Sequence, residues 1–296
     1  LSAGEAIIRE ATTGLVDARR RPLRRLLGDR ASVLGLVIVA AFVATSVLAP
    51  WLARHDPNET DFTNRYAPAS VEHPLGTDNV GRDVFARVLH GGRLSLIMAV
   101  SATLGITTLG LMLGLVAGVY GRWAETVIMR LVDVLLALPT LILALVVVGL
   151  LGQGLRNLVI TIILVQWPRY ARLVRGMALE LREREFVQAA AVQGASRSRI
   201  MFRHVAPNLI GPVAVFSTID MGNTLLVVSS LSFLGFGPPP PTAEWGAMLS
   251  EARHFIDRAP QLLLYPGIAI TLVVLAFNLA GDGLRDLLDP RSSRRS

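Results

Sequence analysis

The sequence predicts an all-α membrane protein with six spanning helices and both ends in the cytoplasm. Three observations predict it. Of the 296 residues 52% are hydrophobic, and the mean hydropathy of +0.52 is above that of an ordinary soluble domain. The apolar residues gather into long runs separated by polar stretches. All 29 basic residues are arginine, and they crowd the flanks of those runs, where they set orientation in a bilayer and do not form a nucleic-acid surface.

Composition also excludes chemistry. A Walker A phosphate loop needs a lysine, and these residues include none. With no cysteine there is no disulfide, thiolate metal site or cysteine nucleophile. The histidines at 55, 73, 90, 204 and 254 are too far apart in sequence for a local zinc motif, and no Gly-x-Ser-x-Gly elbow occurs. The reading is therefore no catalytic residue, no metal and no cofactor held by this chain.

Residues 1–31 carry seven arginines against four acids, a basic segment before the first spanning run at 31–53, which is too long for a signal-peptide core. The stretch 54–93 has five arginines and six acids, a balance expected of the outer side. Within it Asp78 is placed to cap a short helix whose Val84, Phe85, Val88 and Leu89 share one face. A second spanning helix follows at 94–120. Gly110, Gly114 and Gly118 form a flat stripe on it for close packing. An inner turn at 121–125 leads to helix three at 126–151, where Arg130 and Asp133 are spaced to pair. After an outer turn at 152–157, helix four covers 158–173 with Pro168 able to kink it. From Arg169, at the inner end of helix four, to Arg203 lie eight arginines against three acids, which places the loop before helix five in the cytoplasm, in agreement with the N-terminal charge.

Helix five covers 209–233. Asp220 falls about 16 Å along its axis, near mid-bilayer, so it is either a functional group on the pathway or a structural hydrogen-bond partner. Gly222 and Asn223 beside it allow close approach or local unwinding. Helix six covers 262–280, with Pro266 in its first turn and a stop at Gly281-Asp282-Gly283. The chain divides into 1–92 (basic N-terminus, first helix, outer segment), a five-helix core at 93–284, and a basic cytoplasmic tail at 285–296.

The stretch 180–207, between helices four and five, organises the rest. Glu185 begins a short helix in which Phe186, Ala189, Ala190 and Gln193 share a face, with Gln188 beside them. Gly194 interrupts it, Ser196 caps a second set of turns, and Pro207 marks where that element stops and the next membrane helix begins. A small-residue face can press its backbone against a partner; an amphipathic loop resting on lipid headgroups fits the spacing equally well.

Residues Ala189, Ala190, Gly194 and Pro207 match, at the same spacing, the signature loop of ABC-importer permeases, with Gln188 where that family usually has glutamate. Gly76-Thr77-Asp78, Gly81-Arg82-Asp83, the run Leu231 to Gly237 with its prolines and Glu244-Trp245-Gly246, and Gly281 to Arg291 resemble the dipeptide, oligopeptide and nickel subfamily, C-type subunit. The resemblance covers about 30–291. It implies a type I ABC-importer permease fold with cytoplasmic coupling helices in the cytoplasmic (inner) membrane. It also implies a heterodimer with a homologous B-type permease, two cytoplasmic ATPase subunits or domains that bind ATP and magnesium, and an extracytoplasmic substrate-binding protein. Peptides are the implied cargo and nickel the alternative. From another class, a proton-coupled secondary transporter using Asp220 or Asp133 would show repeated halves with matching broken helices, which the sequence lacks; a membrane scaffold without transport is the third reading.

Overall fold

The computed structural model describes residues 29–288, so the basic N-terminal segment and the end of the basic tail lie outside the described residues. Among the described residues the fold is helical throughout, with a single isolated bridge between Thr77 and Asp83.

Helix α1 (Arg30–Val47) is opened by Asp29, whose carboxylate accepts from the amides of Ala31 and Ser32. A short turn, Ala49–Leu52, completes the predicted first span. Helix α2 (Val84–Tyr120) departs from expectation: the short capped helix and helix two are one 37-residue element, and its cap is Asp83, which accepts from Ala86 N at 2.6 Å. Gly91 and Gly92 do not break it because they serve packing. A side chain at Gly92 would put its Cβ 2.7 Å from the Trp245 ring.

The predicted inner turn shrinks to Gly121, and helix three is two helices, α3 (Arg122–Leu136) and α4 (Thr140–Leu151), bent by 97°. Pro139 at the corner has no amide to donate and disfavours a helical Leu138, so the ladder stops there. Asp133 does not pair with Arg130; it meets Arg172 of helix α5 (Leu155–Arg182) at 2.6 Å. Helix α5 runs through Pro168 and extends nine residues past the predicted end at 173.

Helix α6 (Glu185–Val192) is followed by one turn, Arg197–Arg199, and a π-helical stretch, Ile200–Val205, that continues directly into α7 (Ala206–Leu231). Pro207 therefore does not end an element. It lies in the first turn of α7, just after Ala206 N donates to Met201 O, where the regular ladder is already shifted. A second π-helical stretch, Ser232–Phe236, ends α7 at Gly235, which has φ +95°. Helix α8 (Trp245–Ala252) and helix α9 (Gln261–Leu288) complete the described residues. The stop predicted at Gly281 does not occur; the helix passes through because Gly281 faces Ile219 of α7 and Gly283 faces Ser32 of α1.

Among the described residues four helices are long and apolar enough to cross a membrane: α1, α2, the continuous Arg197–Phe236 element containing α7, and α9; the bent α3–α4 pair makes a fifth if it acts as one span. Helix α5 has the length, but from Arg169 onward it carries an arginine nearly every turn.

The glycine stripe of α2 packs as predicted. A Cβ on Gly114 would lie 2.6 Å from Val174 Cβ, and one on Gly118 2.6 Å from Ala178 Cβ, so α2 and α5 touch backbone to side chain along this line. At the end of the bundle carrying α6, Leu115, Val119, Val174, Ala178, Val187 and Val205 form one core; at the opposite end Leu96, Trp245, Ile270 and Phe277 belong to another.

Candidate functional site

The α6 region is built outward from the ends of α2 and α5. Val187 is buried in the core shared with Leu115 and Val174, which holds α6 against the bundle by one side chain. The face carrying Phe186, Gln188, Ala189 and Gln193 is left exposed, with Ala190 half-buried at its edge and Glu185 in the first turn. The helix ends in a Schellman arrangement: Ala195 N donates to Ala190 O and Gly194 N to Ala191 O, each at 3.0 Å. That closure places Gly194 at φ +84°, where a side chain is strained, although a Cβ there would touch nothing in this chain. Ser196 then caps the next turn by accepting from Arg199 N. Between the two pieces opens a shallow cleft lined by Ala190, Gln193, Ala195, Arg199, Arg203 and His204. Gln188 reaches only Glu183, at 3.4 Å.

Arginines fix this region to the bundle. Arg197 donates to the carbonyl of Tyr120 at 2.6 Å and Arg182 to that of Gly118 at 2.9 Å, so both satisfy the last turn of α2. Arg175 pairs with Glu125 of α3, its Nε 2.8 Å from Oε1. Val187 of α6 and the arginines on either side of that helix thus tie this region to the ends of α2 and α5.

Asp220, on α7, is buried and faces α5. It accepts from Arg169 at 3.4 Å, from the Tyr170 hydroxyl at 3.3 Å, and from Asn223 one turn on at 3.3 Å. Tyr170 also stands edge-on to Phe216, with ring centroids 5.0 Å apart. The sequence brought Asp220 and Asn223 forward; Arg169 and Tyr170, their partners from α5, were not anticipated.

At the opposite end the motif of the outer segment is a folded unit. Gly76 and Gly81 take φ +74° and +83°. Thr77 Oγ1 bridges Ala67 N and the carbonyl of Asn64. Asp78 does not cap a helix. It turns the chain by accepting from Val80 N and Arg82 N, and its other oxygen meets Arg82 Nε at 2.6 Å. Arg82 and Arg87 are both buried and converge on Glu251 of α8, at 2.6 and 3.2 Å. Asp83 caps α2 and holds His73 Nδ1 at 2.8 Å.

The Glu244-Trp245-Gly246 string now has a physical account. Glu244 is fully buried and caps α8 by accepting from the amides of Gly246 and Ala247, while Ser95 of α2 donates to it at 2.8 Å. Burial pushes its carboxyl above the usual range, and the two amides and the Ser95 hydroxyl pull it back. Trp245 Nε1 donates to Val88 O, and Gly246 packs on Ser229, where a Cβ would lie 2.5 Å from its carbonyl oxygen.

Apolar helices that carry an exposed, arginine-clamped helical turn at one end and a sealed polar unit at the other define a membrane-embedded component. The chain belongs to the family described as binding-protein-dependent transport system inner membrane component, which matches residues 110–294, and residues 19–69 match the N-terminal transmembrane domain of oligopeptide transport permease C. A dipeptide transport system permease protein, DppC, of Alkalihalophilus pseudofirmus is 43% identical over 272 residues, 92% of this chain and 90% of that protein. Proteins of Brucella suis and Brucella abortus named as peptide permeases are each 42% identical, over 92% and 90% of this chain and 91% and 90% of their own lengths.

Proposed function

We propose that this chain is the C-type permease subunit of an ATP-driven importer of di- and oligopeptides. In this reading it crosses the cytoplasmic membrane six times, counting α5 and the bent α3–α4 pair, with the α6 end in the cytoplasm. It pairs with a homologous B-type permease, so each contributes half of the pathway. An extracytoplasmic binding protein delivers peptide to the α8 end. Two ATPase subunits or domains, which bind ATP and magnesium, engage the α6 end.

The observation that carries the reading is the exposed face of α6 with the cleft behind Ala190 and Gln193, rooted through Val187, Arg182 and Arg197 on the ends of α2 and α5. A partner that closes on this face pulls directly on the two helices packed along the glycine stripe. The peptide cargo rests on the 43% identity to the dipeptide permease DppC over most of both chains.

The test is reconstitution. Proteoliposomes holding this chain with its permease, ATPase and binding-protein partners should take up labelled dipeptide on addition of ATP, and the pure single chain should hydrolyse none. Uptake driven by a proton gradient without ATP would overturn the proposal.

A further inference from the structure

Sequence spacing separates the histidines, but folding brings two of them together at the α8 end. His55, Glu72 and His73 each present a ligand atom, and the three atoms lie within 4.8 Å of one another. The two imidazole rings have centroids 4.7 Å apart. We propose that these three residues form a binding site for a borderline divalent transition ion, Zn²⁺ in the first instance, which cross-links the outer segment.

The local chemistry suits such an ion. A metal-bound imidazole needs one unprotonated nitrogen, and that tautomer is set by an acceptor on the other nitrogen. His73 has such an acceptor in Asp83 Oδ2, 2.8 Å from Nδ1, so Nε2 is left with its lone pair. His55 has one in the Glu72 carbonyl, 3.2 Å from Nε2, which leaves Nδ1. Two imidazoles and a carboxylate match the donor preference of zinc and not that of calcium or magnesium. Three protein ligands leave a position for water or for a group from a docking partner.

The scaffold is already in place. The chain around residue 55 lies beside that around residue 72 through the His55 contact and through Arg54, whose guanidinium donates to the Val71 carbonyl. The two strings are 17 residues apart in sequence, so a bound ion would close a loop of that length. The site is linked in turn to α2, because Asp83 both orients His73 and caps that helix. A metal here would stiffen the surface against which an extracytoplasmic partner docks, and it is separate from the α6 end and from Asp220.

The experiment uses the full chain in detergent, purified on a tag without histidine, stripped with chelator and titrated with Zn²⁺ under equilibrium dialysis. One Zn²⁺ per chain is expected. His55→Ala and His73→Ala should each weaken binding at least tenfold, whereas His254→Ala leaves it unchanged. Because His73→Ala also removes a partner of the α2 cap, a second measurement needs no variant. Zn²⁺ should protect His55 and His73 of the wild-type chain from diethyl pyrocarbonate, read peptide by peptide in a mass spectrometer, and leave His254 reactive. Absence of saturable binding, wild-type affinity in His55→Ala, or equal modification with and without Zn²⁺ would overturn the proposal.

Discussion

Arg82 and Glu251 stand 169 residues apart in sequence and meet at 2.6 Å, the guanidinium almost wholly buried and the carboxylate partly so. Arg87 shares the same carboxylate at 3.2 Å, and Asp78 compensates both arginines from the other side. Glu251 is therefore the point at which α8 is tied to the outer segment and to the base of α2. Glu251→Ala leaves two buried guanidinium groups facing one remaining carboxylate. Since Glu251 is partly exposed, the loss should be below the range for a fully buried pair, about 1–3 kcal/mol. A fall in the thermal midpoint of the detergent-purified chain, with Glu251→Asp intermediate, would bear this out; an unchanged midpoint would show that the network contributes nothing.

Gly92 gives a cleaner packing test. Its Cβ would lie 2.7 Å from Trp245, whereas a Cβ at Gly149 of α4 would meet nothing within 4 Å. Gly92→Ala should cost on the order of 1–3 kcal/mol by overpacking. Gly149→Ala should be neutral or slightly stabilising, because both glycines lie inside helices and alanine is the better helix former. Unfolding of both variants followed through tryptophan emission checks the contrast, and equal effects would reject it.

Much of this was readable from residue patterns, for a simple physical reason. Apolar runs, arginine-rich flanks and the Gly110-Gly114-Gly118 stripe are local, one-dimensional signals, and the helices and their closest packing follow from them. The helix stop at Gly194 was legible for the same reason, though not the pair of hydrogen bonds that closes it. The 97° corner at Pro139 was not, because Pro168, Pro212 and Pro266 are carried inside helices, so proline alone does not decide between a kink and a break. Nor were the partners of α5. Arg169, Arg172 and Arg175 recur every three residues, each step falling roughly 60° short of a full turn, so they fan around the helix. They find Asp220, Asp133 and Glu125 on two different helices, a correspondence only the tertiary fold supplies.

Asp220 sits in a set of long hydrogen bonds, 3.3–3.4 Å, which a neutral side chain can largely keep. Asp220→Asn retains the shape and loses only charge assistance to a partly exposed Arg169, so assembled complex should fall modestly. Asp220→Ala leaves the buried Tyr170 hydroxyl without its acceptor and should cost about 1–3 kcal/mol. Membrane abundance and peptide uptake per assembled complex are measured for both. Abundance that drops in the order Asn then Ala, at constant uptake per complex, identifies Asp220 as a strut between α5 and α7. Uptake lost in Asp220→Asn at normal abundance places it instead on the transport pathway.

The α6 region allows backbone and contact effects to be separated. Gly194 is at φ +84° and a Cβ there meets no atom of this chain, so a substitution strains the backbone without disturbing internal packing. Asparagine tolerates that region and a β-branched residue does not. Gly194→Val should therefore undo the closure made by Ala195 N and Ala190 O, misdirect the turn capped by Ser196, and weaken ATPase retention; Gly194→Asn should be mild. Ala190→Arg leaves the backbone alone but fills the cleft it lines with Gln193 and Arg203, and should block docking sterically. Arg197→Ala tests transmission: it frees the Tyr120 carbonyl from the second half of the loop, so the ATPase should still bind while hydrolysis loses its coupling to uptake. The comparison is ATPase retained and peptide taken up per ATP hydrolysed, at equal membrane abundance of each variant. Retention lost in Gly194→Val and Ala190→Arg, with coupling lost in Arg197→Ala, fits a lever rooted on α2. Normal retention and uptake in both Gly194→Val and Ala190→Arg would mean that this face rests on lipid headgroups and engages no ATPase.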